Sequence, residues 1–408
     1  MAEVYIVDAA RSPIGKFLGS LKDISAPMLG SEVIKGILNR TKIDARDINE
    51  AIVGNVISAG LGQNLAKQTV VYAGLPNEIA AYAVNMVCAS SLKAVSLGAE
   101  SISLGDADIV LAGGIESMSN APFAIHGVRQ FQKFGNVKLA DFLEKLKQNG
   151  IEPAQFELVD EMLSEGLMDC YSNLHMGSLA EKLAGEYKIT RREEDQFALE
   201  SHKKAAKATD SGKFKQEIIP IKLQNGNVMS TDEGIRRDTS IEKLAALKPV
   251  FAENGTITAG NASQLSDGAS FVLLMSDRAV RRYGLKPLAK IDSFASSGSA
   301  PDRYGMAPVP AVKEAISKAH LKIDDIDLIE INEAFCLQTL AVVKELGIDR
   351  SRLNVNGGAT AIGHPLGATG ACILSTLVYS LQDRGKETGL ATLCHGGGGA
   401  AAMVVSRT

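Results

Sequence analysis

The chain lacks the cysteine pairs, the long apolar runs and the excess of charge that mark several classes of protein. Its five cysteines are an odd number and include no Cys-x-x-Cys pair, which argues against a disulfide framework and against a structural zinc site. No apolar run reaches the roughly 20 residues that span a bilayer. The net charge of −4 gives no reason to expect binding to nucleic acid or to a membrane surface.

Targeting signals are lacking as well. Residues 1–7 lead directly into a strand-like pattern, without the charged and apolar regions of a signal peptide or the arginines of a transit peptide. Residues 404–408 do not form a peroxisomal address of the Ser-Lys-Leu type. We therefore expect a cytoplasmic protein.

Short β-branched runs alternate regularly with helical patterns over 408 residues, a length that exceeds what one hydrophobic core usually serves. The alternation predicts an α/β architecture. The first third has predicted strands at residues 4–7, 50–53, 81–85 and 109–112, and predicted helices at 26–42 and 90–104. The last third has predicted strands at 326–331, 353–356 and 389–393, and predicted helices at 308–320, 334–346 and 370–384.

The two ends of the chain resemble each other coarsely, which indicates an internal duplication. Residues 48–52 lead to a strand and then to a loop that opens the helix at Ser90. Residues 328–332 lead in the same way to a strand and a loop that opens the helix at Gly370.

The middle of the chain differs from both ends. Residues 120–248 are richer in Lys, Glu, Gln and Met, so we interpret them as an insertion that covers or extends the first half. Within it, residues 177–211 have the pattern of long charged helices, and residues 133–155 are polar and helix-prone. For most of these residues, a solvated helical elaboration without a chemical role is the better interpretation.

Cys88 stands where a strand pattern ends and small residues introduce a helix at about Ser90. A cysteine at such a junction faces the helix N-terminus, whose unpaired N–H groups and dipole favour the thiolate and lower the pKa of the thiol. The position suits a nucleophile. A buried structural cysteine is the alternative, and for a single cysteine it is the more frequent one.

His364 lies among five glycines in residues 354–370, directly before a helix. The tight backbone would fix the imidazole, and its near-neutral pKa makes it a natural partner for a thiolate. A phosphate-binding loop fits less well, because the stretch has neither a Gly-Lys-Ser/Thr ending nor a Gly-x-Gly-x-x-Gly motif. A structural histidine is the remaining alternative.

Two further motifs place polar groups at the ends of predicted strands. Cys394 precedes His395 and four glycines, whose N–H groups can approach a ligand closely, as an oxyanion hole requires. A structural glycine turn is the alternative. Asn332 ends a buried strand, where an amide without a task would be costly.

Together these motifs resemble those of the thiolases, of the acetyl-CoA acetyltransferase type. The resemblance covers nearly the whole chain, and its most specific motifs are Val87-Cys88-Ala89-Ser90, Gly113-Gly114-Ile115-Glu116-Ser117-Met118-Ser119, His175-Met176-Gly177, Thr258-Ala259-Gly260-Asn261-Ala262-Ser263, Asn332-Glu333-Ala334-Phe335, Gly363-His364-Pro365-Leu366-Gly367 and Cys394-His395-Gly396-Gly397-Gly398. It implies two βαβαβαββ halves in five αβαβα layers with an inserted loop domain. We place the first half at residues 1–119 plus 249–275, the loop domain at 120–248 and the second half at 276–408.

The resemblance also implies a division of labour among five residues. Cys88 would take the acyl group as a thioester, His364 would activate it, and Cys394 would exchange the α-proton of the second acetyl-CoA. Asn332, through a water, and His364 would hold the oxygen of the acyl-CoA that reacts as an enolate. The N–H groups of Cys88 and Gly396 would hold the oxygen of acylated Cys88. Such donors are needed because an enolate or oxyanion develops charge in each step.

Coenzyme A is then part of the substrate, and no cofactor or metal is expected. The positions implied to contact CoA are Leu167, His175, Met176, Arg236, Phe251, Ala259 and Ser263. A helix cap, a core packer or a surface charge is the alternative interpretation of each. The chain departs from many relatives at Ser91-Leu92, where they have Gly-Met, at His395, where they have isoleucine, and in the length of residues 133–155.

The expected reaction is the reversible Claisen condensation of two acetyl-CoA molecules, by a homotetramer that acts in fatty acid metabolism. A broader 3-ketoacyl-CoA thiolase is the nearest alternative. Ketoacyl synthases lack the second catalytic cysteine, so Cys394 argues against them. A non-catalytic thiolase-like binding protein would have lost Cys88, His364, Asn332 or Cys394, and all four are present.

Overall fold

Two units of similar chain order form the scaffold: βαβαβαββ in the first, and the same order in the second with a single bridging residue, Leu353, in place of the third strand. The computed structural model describes residues 2–408. The first unit contains strands β1 (Val4–Arg11), β2 (Glu50–Gly54), β3 (Ala80–Val84), β4 (Ile109–Ser117) and β5 (Ser266–Ser276), with helices α1 (Ala26–Thr41), α2 (Leu65–Tyr72) and α3 (Ser90–Leu104). The predicted helix at residues 90–104 has the same limits as α3.

An insertion separates β4 from β5. Its longer helices are α4 (Leu139–Gln148) and α5 (Arg191–Asp210), and its short ones are Met176–Ala180, Lys182–Tyr187 and Ile241–Ala245. Three pairs of short antiparallel strands complete it: Phe123–Ile125 with Leu158–Asp160, Met168–Asp169 with Leu174–His175, and Ile221–Lys222 with Val228–Met229. The limits predicted for this loop domain, residues 120–248, stay a prediction.

The insertion is less helical than its composition predicts. Residues 177–211 break into separate helices because Lys188 ends one of them in the left-handed region, with φ 51°, and Thr190 caps α5 through a capping box with Glu193. Of the helix-prone residues 133–155, only α4 is α-helical, and glycines with positive φ stand on both sides of it.

A buried ion cluster ties the insertion to the first unit. The Arg11 guanidinium at the end of β1 donates to carboxylate oxygens of Glu217 and Asp232, each at 2.7 Å. All three side chains are buried, and the two carboxylates raise the pKa of Arg11 against the cost of burying its charge.

The second unit repeats the order of the first. It contains strands β6 (Ala289–Gly298), β7 (Leu328–Ile331), β8 (Thr388–His395) and β9 (Gly399–Arg407), with helices α6 (Pro308–Lys318), α7 (Cys336–Leu346) and α8 (Thr369–Arg384). The helix Asp277–Tyr283 connects the units. No strand was expected after Gly399, because residues 399–402 are glycine and alanine, which have low strand propensity.

The strands run in the order β7-β8-β9-β6-β1-β5-β4-β2-β3, and the short strand Gly15–Lys16 pairs with β5. The units join where β1 and β6 pair antiparallel through two residue pairs. If the strands of each unit are numbered by their position in the chain, both units have the order 3-2-4-5-1. For the second unit, this numbering counts Leu353, which bridges Ile329 in parallel, as the third strand.

The predicted strand at residues 353–356 is therefore wrong beyond Leu353. Asn354 takes a left-handed φ of 41°, which ends any strand. Its side-chain amide accepts from the Ile331 N–H and donates to the Ile331 carbonyl, both at 2.9 Å. A side chain thus makes the ladder bonds that a backbone strand would have made.

The helices and sheets form five αβαβα layers, as predicted. Helices α3 and α8 pack against each other between the two halves of the sheet, while α1 and α2 cover one outer face and α6 and α7 the other. Every residue of β4 and β5 is buried, as expected for strands covered on both faces. No helix within residues 2–408 is long and apolar enough to cross a membrane.

Candidate active site

The polar residues singled out in the sequence lie where strands of both units end. Cys88 follows β3, Asn332 follows β7, and Cys394 lies one residue before the end of β8. His364 lies in the loop that opens α8. All four residues therefore lie where a strand ends or a helix begins, on elements from both units.

A strained turn presents Cys88. Val87, a β-branched residue, has a φ of 46°, in a region that such residues rarely adopt. The Ser90 hydroxyl holds this turn, because its oxygen accepts from the Met86 N–H at 2.8 Å and its proton goes to the Val87 carbonyl at 2.6 Å. Helix α3 starts at Ser90, so the thiol lies just before its first turn.

The Cys88 thiol is not a preformed thiolate. Burial raises its pKa to about 12, and the N–H groups of Gly396 and Cys88 itself, which would lower it, offset burial only in part. The prediction that the helix N-terminus lowers this pKa is wrong, because the cost of desolvating a thiolate exceeds the gain from nearby N–H groups. The residue is half-buried and rests as a neutral thiol.

The second cysteine shares this environment. Cys394 is buried, and its thiol pKa is raised above its ordinary value first by burial and then by the nearby Cys88. Tyr304, which sequence reasoning missed, lies near both groups, since burial first and then both cysteines raise its pKa. Its hydroxyl donates to the Met176 carbonyl at 2.9 Å. The two sulfurs therefore belong to one site, although they come from different units.

His364 has a single tautomer that follows from its hydrogen bonds. Its Nδ1 lies 2.6 Å from the Thr369 hydroxyl oxygen, and that hydroxyl donates its only proton to the Pro365 carbonyl at 2.8 Å. Thr369 must then accept, so the ring proton sits on Nδ1 and Nε2 carries a free lone pair. Burial lowers the imidazole pKa to about 4, which keeps the ring neutral.

Asn332 lies beside the free nitrogen of that ring. Its Nδ2 is 3.3 Å from His364 Nε2, so the amide is placed to donate to the lone pair. The residue is fully buried, and its Oδ1 has no hydrogen-bond partner within residues 2–408. A buried amide oxygen without a partner is costly, which favours a role in binding.

A buried carboxylate holds the loop of His364 in place. Glu116 accepts from the Gly367 N–H at 2.8 Å, from the Asn55 side chain at 2.8 Å, and from the next two backbone N–H groups at 3.0 and 3.3 Å. The crossing is tight, since a Cβ on Gly114 would lie 2.1 Å from the Gly367 carbonyl oxygen. Glu116 thus joins the loop of His364 to β2 and β4.

Replacing Glu116 by alanine should lower the free energy of unfolding by about 3 kcal/mol, because the buried N–H donors lose their acceptor. Chemical denaturation at pH 8 measures this value. Glu253→Ala, in an exposed loop, is the matched control and should change stability by less than about 0.5 kcal/mol. An equal effect of the two variants would show that the buried carboxylate does not secure the loop.

Comparison with known proteins matches this arrangement to a family. The models of the thiolase N-terminal and C-terminal domains match residues 4–278 and 285–407. This chain belongs to the thiolase family. It is 46% identical over 409 residues to the acetyl-CoA acetyltransferase of Chromobacterium violaceum, with 99% of this chain and 100% of the relative covered.

Two solved thiolase structures align over the whole chain. The acetyl-CoA acetyltransferase of Bacillus anthracis and the human mitochondrial 3-ketoacyl-CoA thiolase each have a TM-score of 0.92 and 38% identity. Each alignment covers 100% of this chain and 99% of the solved one. The predicted thiolase fold is confirmed, and with it the prediction of an acyltransferase of this family.

Four of the positions expected to contact CoA lie close to the thiolase cysteines. His175 stacks on Phe251 with 4.5 Å between ring centroids and 21° between planes. Met176 follows His175 and is buried, and a Cβ on Gly396 would lie 3.7 Å from its sulfur. Leu167 is partly buried and packs in the apolar cluster that contains Cys88.

The other three positions differ in exposure. Ser263 is half-buried and donates its N–H to the Ala334 carbonyl at 3.0 Å. This bond places Ser263 next to the segment that contains Asn332. Ala259 and Arg236 are exposed. The Arg236 backbone N–H donates to His202 Nδ1 at 3.1 Å.

Sequence reasoning gave no role to several residues that support the site. Glu333 follows Asn332 and accepts from the Ser201 hydroxyl at 2.7 Å, the Asn354 amide at 2.8 Å and the Thr360 N–H at 3.1 Å. Glu116 is a charged residue in a strand that is otherwise mostly apolar, and Glu333 follows Asn332 just beyond the end of β7; these positions were the signal available in the sequence. For Thr369 and Tyr304 the sequence contains no comparable signal.

Proposed function

We propose that this thiolase is an acetyl-CoA C-acetyltransferase, which condenses two acetyl-CoA molecules to acetoacetyl-CoA and CoA and also runs the reverse cleavage. One observation carries the proposal. Two neutral cysteine thiols, an imidazole with a free Nε2 and a buried amide meet in one site, with two N–H groups aimed at the Cys88 sulfur. The relatives named acetyl-CoA acetyltransferase support the same activity.

In the first half-reaction, Cys88 attacks the carbonyl carbon of acetyl-CoA while its proton moves to His364 Nε2. The N–H groups of Cys88 and Gly396 hold the oxyanion of the tetrahedral intermediate. When the C–S bond to CoA breaks, the departing sulfur takes the proton of Cys394. The products are acetyl-Cys88, free CoA thiol, a His364 imidazolium and a Cys394 thiolate.

In the second half-reaction, the Cys394 thiolate removes an α-proton from a second acetyl-CoA. The enolate oxygen accepts a hydrogen bond from His364 Nε2–H, and the adjacent Asn332 amide is placed to assist. The enolate carbon then attacks acetyl-Cys88, the bond from Cys88 to the acetyl carbon breaks, and its sulfur recovers the proton from His364. Protons and charges balance, and the resting state of neutral groups returns.

The division into two half-reactions follows from the protonation states of the two cysteines and His364. A buried thiol with a pKa of about 12 and an imidazole with a pKa of about 4 rest uncharged, so charge appears only as substrate reacts. After acylation, the imidazolium and the Cys394 thiolate stabilise each other in a site of low dielectric constant. A single base could not serve both proton transfers, because they occur on different atoms.

The test is to incubate the protein with acetyl-CoA and locate acetyl groups by mass spectrometry. We expect acetylation of Cys88 alone. Two native cysteines serve as internal controls: Cys170 is exposed, and Cys372 is half-buried with a thiol pKa also raised to about 12. Acetylation that favours Cys170 would indicate non-enzymatic transfer, and an unmodified Cys88 would overturn the proposal.

The pH dependence of this acetylation should reflect the low pKa of His364. Since burial lowers that pKa to about 4, the base is unprotonated across the neutral range, and the rate should stay constant from about pH 8 to 5 and fall only near pH 4. Rapid-quench measurement of acetyl-Cys88 formation gives the profile. Burial also raises the pKa of Glu116 to about 7, so the profile is measured in Glu116→Gln as well. An acid limb near the ordinary histidine pKa of about 6.5 that persists in this variant would contradict the buried neutral imidazole.

The same histidine makes stability depend on pH with a defined sign. Its pKa is lower in the folded protein than in the unfolded chain, so the unfolded state binds more protons between about pH 6.5 and 4. His364 therefore lowers the free energy of unfolding as the pH falls through that window, which bounds the range in which the acid limb can be measured.

We propose acetoacetyl-CoA as the preferred substrate for cleavage, over longer 3-ketoacyl-CoA. Cys88 packs against an apolar cluster that contains Met118, Met162 and Leu366, and these large side chains beside the thiol favour a short acyl group. Thiolysis rates across a series of 3-ketoacyl-CoA chain lengths test this. Equal rates for acetoacetyl-CoA and long chains would favour the broader 3-ketoacyl-CoA thiolase.

We further propose a cytoplasmic homotetramer, a dimer of dimers, that acts in fatty acid metabolism. Strand β3 is the last strand of the sheet, and an uncovered edge invites pairing with a second copy. Tyr82 on β3 and Tyr72 at the end of α2 are exposed there. The insertion exposes a second apolar set that includes Phe123 and Phe134. Light scattering on the purified protein measures the assembly.

A further inference from the structure

We propose that His395 is a positioning residue that holds the Gly396 N–H in line with the Cys88 sulfur. The inference rests on the proposed function, because that N–H is assigned there to the oxyanion of acylated Cys88. It concerns a residue next to Cys394 for which the reaction steps above have no use.

Gly396 belongs to a turn that would be mobile without a restraint. His395 and Gly399 pair across β8 and β9, and the three residues between them are all glycine. Gly397 and Gly398 have φ values of 82° and 89°, which only glycine adopts without strain. A run of glycines loses much conformational freedom when fixed, so a defined position of Gly396 requires bonds from outside the run.

The far end of the turn is tied to the neighbouring loop. The Ser299 N–H donates to the Gly398 carbonyl at 2.7 Å. This bond holds Gly398 but lies two residues away from the N–H group that faces Cys88. The near end, which carries that N–H, needs a restraint of its own.

The His395 side chain supplies that restraint. Its Nδ1–H donates to the Gly396 carbonyl at 2.6 Å. The hydrogen bond closes a ring through the side chain and the His395–Gly396 peptide, and this peptide contains the Gly396 N–H. The direction of the N–H is therefore coupled to the rotamer of His395.

The rotamer of His395 is itself confined. A Cβ on Gly399 would lie 2.2 Å from His395 Nε2, so only glycine at that position leaves room for the ring. On its other side, Gly396 lies against the cysteine loop, because a Cβ there would be 3.5 Å from Val87 Cγ1. The imidazole thus fixes the Gly396 end of this turn beside Val87, the residue that precedes Cys88.

A fixed donor matters because an oxyanion donor contributes most when it needs no reorganisation as charge develops. The test compares His395→Leu, which removes the donor but retains similar bulk, with His395→Asn, whose Nδ2 stands where Nδ1 was. For His395→Leu we expect kcat to fall about 10- to 100-fold, with KM changed by less than about threefold. His395→Asn should recover most of kcat.

The controls separate this inference from the proposed function. Wild-type protein that fails to acetylate Cys88 overturns the proposed function and, with it, this role. If the wild type is acetylated, a wild-type kcat in His395→Leu overturns the positioning role of His395. A His395→Asn variant as slow as His395→Leu, with both variants folded by circular dichroism, also overturns it, since the amide would then have restored the donor without effect.

Discussion

Replacing Cys88 by serine should abolish the formation of the acyl-enzyme and lower kcat by at least about 10⁴-fold. A serine hydroxyl is a far weaker nucleophile than a thiol, and its proton is much harder to remove. His364, whose pKa is held at about 4 by burial, is too weak a base to compensate. The expected loss is therefore larger than for any other substitution considered for this protein.

The measurement is the rate of acetoacetyl-CoA cleavage together with mass spectrometry of the acetyl-CoA-treated protein. Cys372→Ser is the matched control, because Cys372 is also half-buried with a thiol pKa raised by burial to about 12 but lies near the Arg11 cluster instead of Gly396. That variant should keep at least half of the wild-type rate, by the usual effect of a distant substitution. Full activity in Cys88→Ser would contradict the mechanism in which the Cys88 thiol is the nucleophile.

Replacing Cys394 by alanine should separate the two half-reactions. Cys88 should still be acetylated, about tenfold more slowly, because CoA must then leave as a thiolate without a proton from Cys394. Condensation should fall at least about 10³-fold, since no other thiolate can take the α-proton. The protein should accumulate as acetyl-Cys88.

Two assays check this separation. Mass spectrometry follows acetyl-Cys88, and exchange of the methyl protons of acetyl-CoA into deuterated water follows removal of the α-proton. We expect the first signal to persist and the second to disappear in Cys394→Ala. Proton exchange at the wild-type rate would show that another group is the base, and loss of acetylation would mean that Cys394 acts mainly in the first half-reaction.

The sequence determined the larger plan of the fold and supplied the residues to which the proposed mechanism assigns the chemistry. The periodicity at residues 90–104 predicts α3 to the residue, because its apolar positions recur at helical spacing and Gly105 stops it in the left-handed region. The coarse likeness of residues 48–52 and 328–332 predicts two units, and the strand order of the structure repeats in both. These features depend on short-range residue patterns, which can be recognised directly in the sequence.

The tertiary structure decided the features that depend on burial and on side-chain partners that no local sequence pattern specifies. The strand expected at residues 353–356 is replaced by side-chain bonds from Asn354, an arrangement that no propensity encodes. Thr369 sets the tautomer of His364, and Glu116 anchors its loop from 251 residues away. None of these contacts has a local signature.

Cys88 shows most clearly which properties the sequence determined and which the tertiary structure decided. Its place before a helix could be taken from the sequence, and that place alone argued for a lowered pKa. The folded chain surrounds the thiol with apolar side chains from the insertion and from the loop after His364, and the cost of desolvating a charge exceeds what the helix and two N–H groups contribute. Desolvation depends on everything packed around a group, so only the assembled structure could determine it.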